Sequence, residues 1–347
     1  MGSSINYYLQ STTKTLLIVR FLASTKTSSP MLIDTAFIVL GFIGLIWGAD
    51  KFVFGASGLA RNLGMSELMI GLTIVAFGTS APEIFSSAVA ALNNTPELAI
   101  GNALGSNLFN IGVALAVAAL ISPLKPPETL IHKEIPALLL VTVVTGVLLI
   151  DLYLGYFDAF ILIAITAFFG YKLFRKRVRT GSAIAITEPE MTTVKNLQAA
   201  AYLMLGLALL VLSAEALVAA ASSIAESLGV STAIIGLTVV ALGTSLPELA
   251  ASVTCVLKGH HDLAIGNIVG SNILNLLVVL PFPGLIAPEP VEFALVARDY
   301  TAVLILTLLM TFFCYRAVKN GKMIGRKYGA AFLSIYCVWF TVMFLQV

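Results

Sequence analysis

The chain has 347 residues, of which 59% are hydrophobic and 11% charged; its mean hydropathy is +0.98 and its formal net charge +2. Soluble domains carry about 25% charged residues, so this composition excludes an ordinary soluble globular protein. The apolar residues form separate runs of about 20, the length at which a helix crosses the hydrocarbon core of a bilayer. At about 30 residues per span with its loop, the length allows about ten crossings. The sequence therefore predicts an all-α, polytopic membrane protein.

Residues 1–30 differ from the rest of the chain, because they are rich in Ser and Thr and contain no acidic side chain. A targeting segment is one interpretation. The apolar stretch from Leu16 to Leu22 is short for that purpose, however, and no convincing cleavage site follows it. Met31 opens the first long apolar run. We therefore favour an N-terminal extension that is non-native or disordered.

Ten spans follow, with ends placed to within several residues. They lie near 32–56, 67–92, 98–122, 135–150, 153–173, 198–224, 232–257, 263–285, 297–317 and 328–346. The longest connection, 175–197, is a basic loop that is too short and too polar to form a domain. It separates a first five-helix repeat, 31–174, from a second, 198–347.

The basic residues predict the topology. Threading ten spans through a membrane places 16 of the 20 Lys and Arg residues on one side. Because cytoplasmic loops carry an excess of Lys and Arg, that side is predicted to be cytoplasmic and both termini extracytoplasmic.

An internal repeat appears when the chain is compared with itself at an offset of 165 residues. Residues 70–110 and 235–275 are identical at 22 of 41 positions without a gap. Five spans separate the copies, and since five is odd, the second copy must cross the membrane in the opposite direction. Such inverted-topology repeats are typical of transporters, which bind their substrates at the repeat interface. Some channels also contain inverted repeats.

Each copy carries the motif Gly-Thr-Ser-x-Pro-Glu in the middle of a span, ending at Glu83 and at Glu248. A charged side chain at this depth costs about 2.5–3.5 kcal/mol on insertion scales. Two carboxylates placed by symmetry in antiparallel helices are difficult to explain without a cation between them. Pro82 and Pro247 each remove a backbone donor, so both helices are predicted to kink and to free carbonyl oxygens.

Neutral oxygen donors accompany both glutamates. In the two copies they are Thr79, Ser80, Asn102, Ser106 and Asn110, and Thr244, Ser245, Asn267, Ser271 and Asn275. Hydroxyl, amide, carbonyl and carboxylate oxygens suit Ca²⁺ and Na⁺, whereas softer metals prefer Cys or His, which the motifs lack. GxxxG patterns at 101–105 and 266–270 predict close packing of these spans on the Glu-bearing helices.

The two GTS-x-PE and GN-x-x-GSN-x-x-N elements resemble the paired alpha repeats of the sodium/calcium exchanger family, within the cation/calcium antiporter superfamily. The resemblance extends from Met31 to the C-terminus. It implies ten helices in two inverted halves, ions bound between the second, third, seventh and eighth, and electrogenic exchange of Ca²⁺ for several Na⁺. The Ca²⁺ ligands that it implies are Glu83, Glu248 and the backbone carbonyls of Thr79 and Thr244. The sodium sites that it implies add Ser80, Ser245, Ala76, Ala241, Ser106 and Ser271, and they share the side chains of Glu83 and Glu248.

Two departures from the family pattern concern coupling and regulation. Asn110 stands where the family has Asn, but Asn275 stands where well-studied members carry Asp. The loss of that acid removes one negative charge and one proton-accepting group, which bears on the ion stoichiometry and on potassium coupling. The large cytoplasmic regulatory region of animal exchangers is replaced by about two dozen residues, so no allosteric Ca²⁺ sensor is expected. This compact form suggests the cytoplasmic (inner) membrane of a prokaryote. We also expect a monomeric transport unit in the lipid bilayer, with Ca²⁺ and Na⁺ as substrates, no nucleic-acid partner and no cofactor.

Other functions remain as alternatives. A proton/calcium exchanger of the same fold is the nearest, with Glu83 or Glu248 protonated in place of the counter-ion. A passive cation channel is less favoured, because a buried carboxylate pair suggests tight occupancy. An enzyme is disfavoured, since Ser80 and Ser245 have no His or Lys placed by a motif to activate them and no P-loop is present.

A second symmetric acidic pair, Asp50 and Glu215, admits two interpretations. One is a role in gating or at an ion entrance. The other is an interfacial carboxylate, solvated or, at Asp50, paired with Lys51.

Overall fold

The computed structural model describes residues 30–179, 195–229, 239 and 241–345. The predicted extension before Pro30 and most of the predicted basic loop lie outside the described residues. So does most of the segment 230–240, which contains the start of the predicted seventh span. The described ranges are almost entirely helical.

The helices are α1 (Pro30–Asn62), α2 (Glu67–Thr79), α3 (Ala81–Leu92), α4 (Pro96–Ile121), α5 (Leu130–Leu148), α6 (Tyr156–Arg179), α7 (Asn196–Ser227), α8 (Ala241–Thr244), α9 (Leu246–Leu257), α10 (His261–Ile286), α11 (Leu295–Lys319) and α12 (Arg326–Leu345). In the described ranges, α1, α4, α5, α7, α10, α11 and α12 are long and apolar enough to cross a membrane, and the bent pair α2–α3 makes an eighth candidate. The prediction of a multi-pass helical membrane protein is therefore confirmed.

Three helix ends differ by several residues from the predicted limits. Helix α1 continues to Asn62, beyond the predicted end at residue 56. Helix α6 continues to Arg179, so the predicted boundary at residue 174 falls inside a helix. Helix α5 begins at Leu130, several residues before the predicted start. In α5 and α6 charged residues extend the helix, because backbone hydrogen bonding and the helix propensity of Lys and Arg do not end where the apolar run ends.

The two longest helices, α1 and α7, run against each other at very close range. A Cβ atom added at Gly206 would lie 2.3 Å from the backbone nitrogen of Phe52, and one added at Gly48 would lie 2.9 Å from that of Leu210. Glycine at these positions lets the two backbones touch. The pair is further joined by Ser223 Oγ, which donates to Asp34 Oδ2 at 2.6 Å.

Helices α4 and α10 form the centre of the protein. In the most apolar stretch of each, 72% and 83% of the residues are buried. Helix α10 packs on α2 through its GxxxG pattern. A Cβ atom at Gly266 would lie 2.6 Å from the carbonyl oxygen of Leu68, and one at Gly270 would lie 2.7 Å from that of Leu72. This confirms the predicted close approach for the second pattern. The segment expected to face Gly101 and Gly105 lies mostly outside the described residues.

Short contacts tie the connecting segments together at the helix ends. Strands β1 (Tyr153–Leu154) and β2 (Glu289–Pro290) pair antiparallel, with Tyr153 opposite Pro290. A single bridge joins Leu124 to Ile324, between the segments after α4 and after α11. These contacts show which connecting segments, and so which helix ends, lie next to each other.

Candidate cation site

Both Glu-bearing helices are broken immediately before the glutamate. Between α2 and α3 the chain bends by 44° at Ser80, whose φ and ψ are −81° and 4°. Between α8 and α9, Ser245 has φ −93° and ψ 7°. Pro82 and Pro247 occupy the first turn after each break. The predicted kinks are confirmed, and their cause is the missing backbone donor of proline.

Because of the break, each glutamate lies at the start of a new helix. Glu83 and Glu248 lie in the first turns of α3 and α9, where the exposed N–H groups and the helix dipole favour a negative charge. Both side chains are fully buried, with 0% exposure. Among the described residues, neither carboxylate has a Lys or Arg partner.

The two halves hold each other's carboxylates. Ser245 Oγ donates to Glu83 Oε1 at 2.9 Å, and Ser80 Oγ donates to Glu248 Oε1 at 3.1 Å. Ser106 joins this network through a contact of 3.1 Å between its hydroxyl and that of Ser245. The structure therefore brings Glu83, Glu248, Ser80, Ser245 and Ser106 together at the junction of the halves.

Several buried oxygens around this junction have no hydrogen-bond partner. They are Oε2 of Glu83, Oε2 of Glu248, Oδ1 of Asn110, Oδ1 of Asn275 and Oγ of Ser271. A buried polar atom without a partner costs about 1–3 kcal/mol, and more when it is charged. Ionised carboxylates and carboxamide oxygens only accept, so a cation is the kind of group that can satisfy oxygens of this type.

The donor set fits a hard cation. The described residues contain no cluster of three or more His, Cys, Asp or Glu side chains, so the junction offers two carboxylates supplemented by neutral oxygens. Such oxygens suit Ca²⁺ and Na⁺.

The remaining predicted ligands lie on the helix segments that flank the breaks. Thr79 Oγ1 donates to Asn267 Oδ1 at 3.1 Å and also lies 3.2 Å from the carbonyl oxygen of Val75. Its hydroxyl is thus used within the protein, which leaves its carbonyl as the predicted ligand. The carbonyl oxygen of Ala76 accepts from Ser80 N at 2.9 Å. Ala241 and Thr244 begin and end α8.

Two of the amides noted in the sequence bind protein groups. Asn102 Nδ2 donates to the carbonyl oxygen of Glu83 at 3.1 Å and to Ser87 Oγ at 3.0 Å. Asn267 Nδ2 donates to Ser252 Oγ at 3.1 Å. Asn102 thus supports the α3 backbone at Glu83, whereas Asn267 bonds a side chain of α9.

Sequence reasoning missed two buried asparagines, Asn107 and Asn272. Asn275 Nδ2 donates to Asn107 Oδ1 at 3.1 Å, and Asn110 Nδ2 donates to Asn272 Oδ1 at 3.3 Å. Asn107 Nδ2 in turn donates to the backbone carbonyl of Asn272 at 3.3 Å. Their identity in both copies of the GSN triplet was the available signal.

Asn110 and Asn275 mark another local irregularity. Each begins a π-helical segment, Asn110–Leu115 in α4 and Asn275–Val279 in α10. Such wider turns are frequent at functional sites. Matching π-helical segments also occur at Leu130–Glu134 and Leu295–Tyr300, so the irregularity follows the repeat and does not by itself mark this pair.

The second acidic pair is not symmetric in its contacts. Asp50 Oδ1 lies 2.5 Å from Lys258 Nζ, and Asp50 Oδ2 lies 3.3 Å from Lys51 Nζ. Glu215 is exposed and forms no ion pair with the described residues. The paired form of Asp50 thus has Lys258 as its nearer partner, in addition to the predicted Lys51.

A multi-pass helical protein with two buried carboxylates where repeated segments meet has the architecture of an ion transporter. The sodium/calcium exchanger protein family matches residues 33–175 and 198–345. The chain belongs to this family.

Individual relatives are matched over nearly their whole length. The putative antiporter CaxA of Alkalimonas amylolytica is 41% identical, covering 88% of this chain and 97% of the relative. The inner membrane protein YrbG of Escherichia coli (strain K12) is 35% identical, covering 90% and 98%. A solved structure of the sodium-calcium exchanger NCX_Mj superposes with a TM-score of 0.77 at 32% identity, covering 90% of this chain and 98% of that chain. These relatives are named as antiporters, exchangers or membrane proteins, not as enzymes.

Proposed function

We propose that this protein is a secondary active antiporter that exchanges Ca²⁺ for Na⁺ by alternating access. The observation that carries the proposal is the reciprocal bonding at the junction, where Ser245 holds Glu83 and Ser80 holds Glu248. The names of NCX_Mj as a sodium-calcium exchanger and of CaxA as a putative antiporter support it.

Charge balance at the site favours exchange over leak. Two ionised glutamates neutralise one Ca²⁺ or an equivalent set of monovalent ions. An empty site would leave two buried charges without compensation, and a doubly loaded site would carry excess positive charge, so both states are costly. The protein would therefore cross between its two orientations only when loaded.

The proposed ligands are those expected from the sequence. Glu83 and Glu248, with the carbonyls of Thr79 and Thr244, would bind Ca²⁺. Ser80, Ser245, Ala76, Ala241, Ser106 and Ser271 would add to the Na⁺ sites, and Asn110 and Asn275 would contribute their amide oxygens. The unpartnered oxygens of Asn110, Asn275 and Ser271 support this assignment.

The proposed architecture is ten transmembrane helices in two inverted five-helix repeats. Matching breaks at Ser80 and Ser245 and matching π-helical segments at Asn110 and Asn275 support it. Contacts between connecting segments agree with this span count: β1 with β2, and Leu124 with Ile324, each join segments that ten spans place on the same side.

The proposed location is the inner membrane of a prokaryote, with both termini extracytoplasmic. The name of YrbG, an inner membrane protein, supports the location. The concentration of basic residues on one predicted side supports the orientation.

The proposal is tested by radioactive Ca²⁺ uptake into proteoliposomes loaded with Na⁺. Parallel samples lack Na⁺ at fixed pH, or lack Na⁺ and carry an imposed pH gradient. We expect uptake that requires internal Na⁺ and responds to membrane voltage. Uptake driven by the pH gradient alone would replace the proposal with proton/calcium exchange, and uptake that needs no counter-ion would indicate a channel.

A further inference from the structure

Two buried asparagines lie outside the proposed ligand set but contact two of its members. We propose that Asn107 and Asn272 are positioning residues that hold the carboxamides of Asn275 and Asn110 with their oxygens turned toward the transported cation. The inference rests on the proposed cation site.

The orientation of Asn107 is fixed by a group that can only accept. Its Nδ2 lies 3.3 Å from the backbone carbonyl oxygen of Asn272, so this end of the amide must be the nitrogen. The opposite end is then Oδ1, which lies 3.1 Å from Asn275 Nδ2. Asn275 must in turn place its own oxygen on the far side, where that atom is buried without a partner.

The other half repeats part of this arrangement. Asn272 Oδ1 accepts from Asn110 Nδ2 at 3.3 Å, which leaves Asn110 Oδ1 buried and without a partner. Nδ2 of Asn272 has no partner either, so only the Asn107 amide is anchored to a backbone carbonyl. We call the hydrogen-bonded group of Asn107, Asn110, Asn272 and Asn275 the asparagine bridge. Within it, Asn107 has the stronger orienting effect.

This orientation matters because the two ends of a carboxamide have nearly the same size. Packing alone does not distinguish the nitrogen from the oxygen. A reversed Asn275 would present N–H groups to the cation and bring its oxygen against Asn107 Oδ1. Groups that orient metal ligands typically change metal affinity about 10- to 100-fold when they are removed.

The test is a double-mutant cycle on the purified full chain, read as thermal stabilisation by Ca²⁺ and, separately, by Na⁺. The variants are Asn107→Leu, Asn275→Ala and the double variant. We expect Asn107→Leu to lower the apparent affinity for at least one ion about 10- to 100-fold. In the Asn275→Ala background it should have no further effect, because the residue acts through Asn275.

Thr142→Val is the matched control. Thr142 is buried, and its hydroxyl bonds the carbonyl oxygen of Leu138, one turn away in its own helix. This variant should retain wild-type affinity for both ions. If Asn107→Leu does not fold, the cycle of Asn272→Leu with Asn110→Ala tests the same bridge.

Unchanged affinity for both ions in Asn107→Leu, or effects that multiply in the double variant, would overturn the inference. Because the cycle measures ion binding and not transport, a failure of this inference can be distinguished from a failure of the proposed exchange function. Ion binding without Na⁺-dependent Ca²⁺ uptake would contradict only the proposed exchange function. Multiplicative effects in a protein that does exchange the ions would contradict only the positioning role of Asn107 and Asn272.

Discussion

Ser245 Oγ lies 2.9 Å from Glu83 Oε1, although the two residues are 162 positions apart in the chain. The same contact, at 3.1 Å, joins Ser80 to Glu248. Each hydroxyl fixes one oxygen of the opposite carboxylate, while the second oxygen stays without a protein partner. Neither half can therefore build this site alone.

Replacing Ser245 with Ala should weaken cation binding. A hydrogen bond to a charged group contributes about 1.5–3 kcal/mol, so we expect the apparent affinity for Na⁺ to fall about 10-fold or more. The measurement is the Na⁺ dependence of Ca²⁺ uptake. Ser334→Ala, at an exposed position whose hydroxyl bonds its own helix, is the control. Equal Na⁺ dependence in both variants would contradict the proposed role of the hydroxyl.

Replacing Gly270 with Ala should destabilise the protein. The new Cβ would lie 2.7 Å both from Ala76 Cβ and from the carbonyl oxygen of Leu72, so α10 and α2 must separate. We expect a lower Tm in detergent. Gly170→Ala is the matched control, because a Cβ there meets no described atom within 4 Å and alanine favours the helix. A Tm for Gly270→Ala equal to that of the control would show that the contact is looser than described.

Replacing Asn275 with Asp should make exchange sensitive to pH. The new carboxylate would lose the N–H group that now donates to Asn107 Oδ1, and it would place an oxygen there instead. A protonated carboxyl can restore the contact, so activity should depend on protonation at this position. Uptake measured across a pH series is expected to change shape relative to the wild type. Identical pH profiles of uptake in the variant and in the wild type would contradict this prediction.

Removing the ion pair between Asp50 and Lys258 should have a small effect. The side chains are 40% and 32% exposed, and pairs of this kind contribute about 0–1 kcal/mol. We expect Lys258→Ala to lower Tm slightly while the rate of exchange is maintained, in agreement with the interfacial interpretation. A large change in rate at unchanged Tm would instead favour the gating interpretation of Asp50.

The local features of the site could be predicted because they depend on neighbouring residues. Pro82 and Pro247 break their helices wherever the surrounding spans lie, and the carboxylates that follow them mark a polar site in an apolar segment. The repeat also showed that the two glutamates belong together, since their segments are nearly identical.

Contacts between distant parts of the chain could not be predicted in this way. The sequence suggested Lys51 as the partner of Asp50, but Lys258, 208 positions away, approaches more closely. The role of Asn107 depends on which atom of its amide faces the carbonyl of Asn272, and no pattern encodes that choice. The end of α6 was missed because polar composition marks the edge of the membrane, whereas the helix continues to Arg179.

The central claim is that Glu83 and Glu248 together bind the transported cation. The most direct measurement is Ca²⁺ uptake into Na⁺-loaded proteoliposomes by Glu83→Gln and Glu248→Gln, with the exposed Glu97→Gln as the matched control. We predict that either buried substitution abolishes uptake while membrane insertion and folding are retained, and that the control is fully active. Normal uptake in both buried variants would contradict the claim.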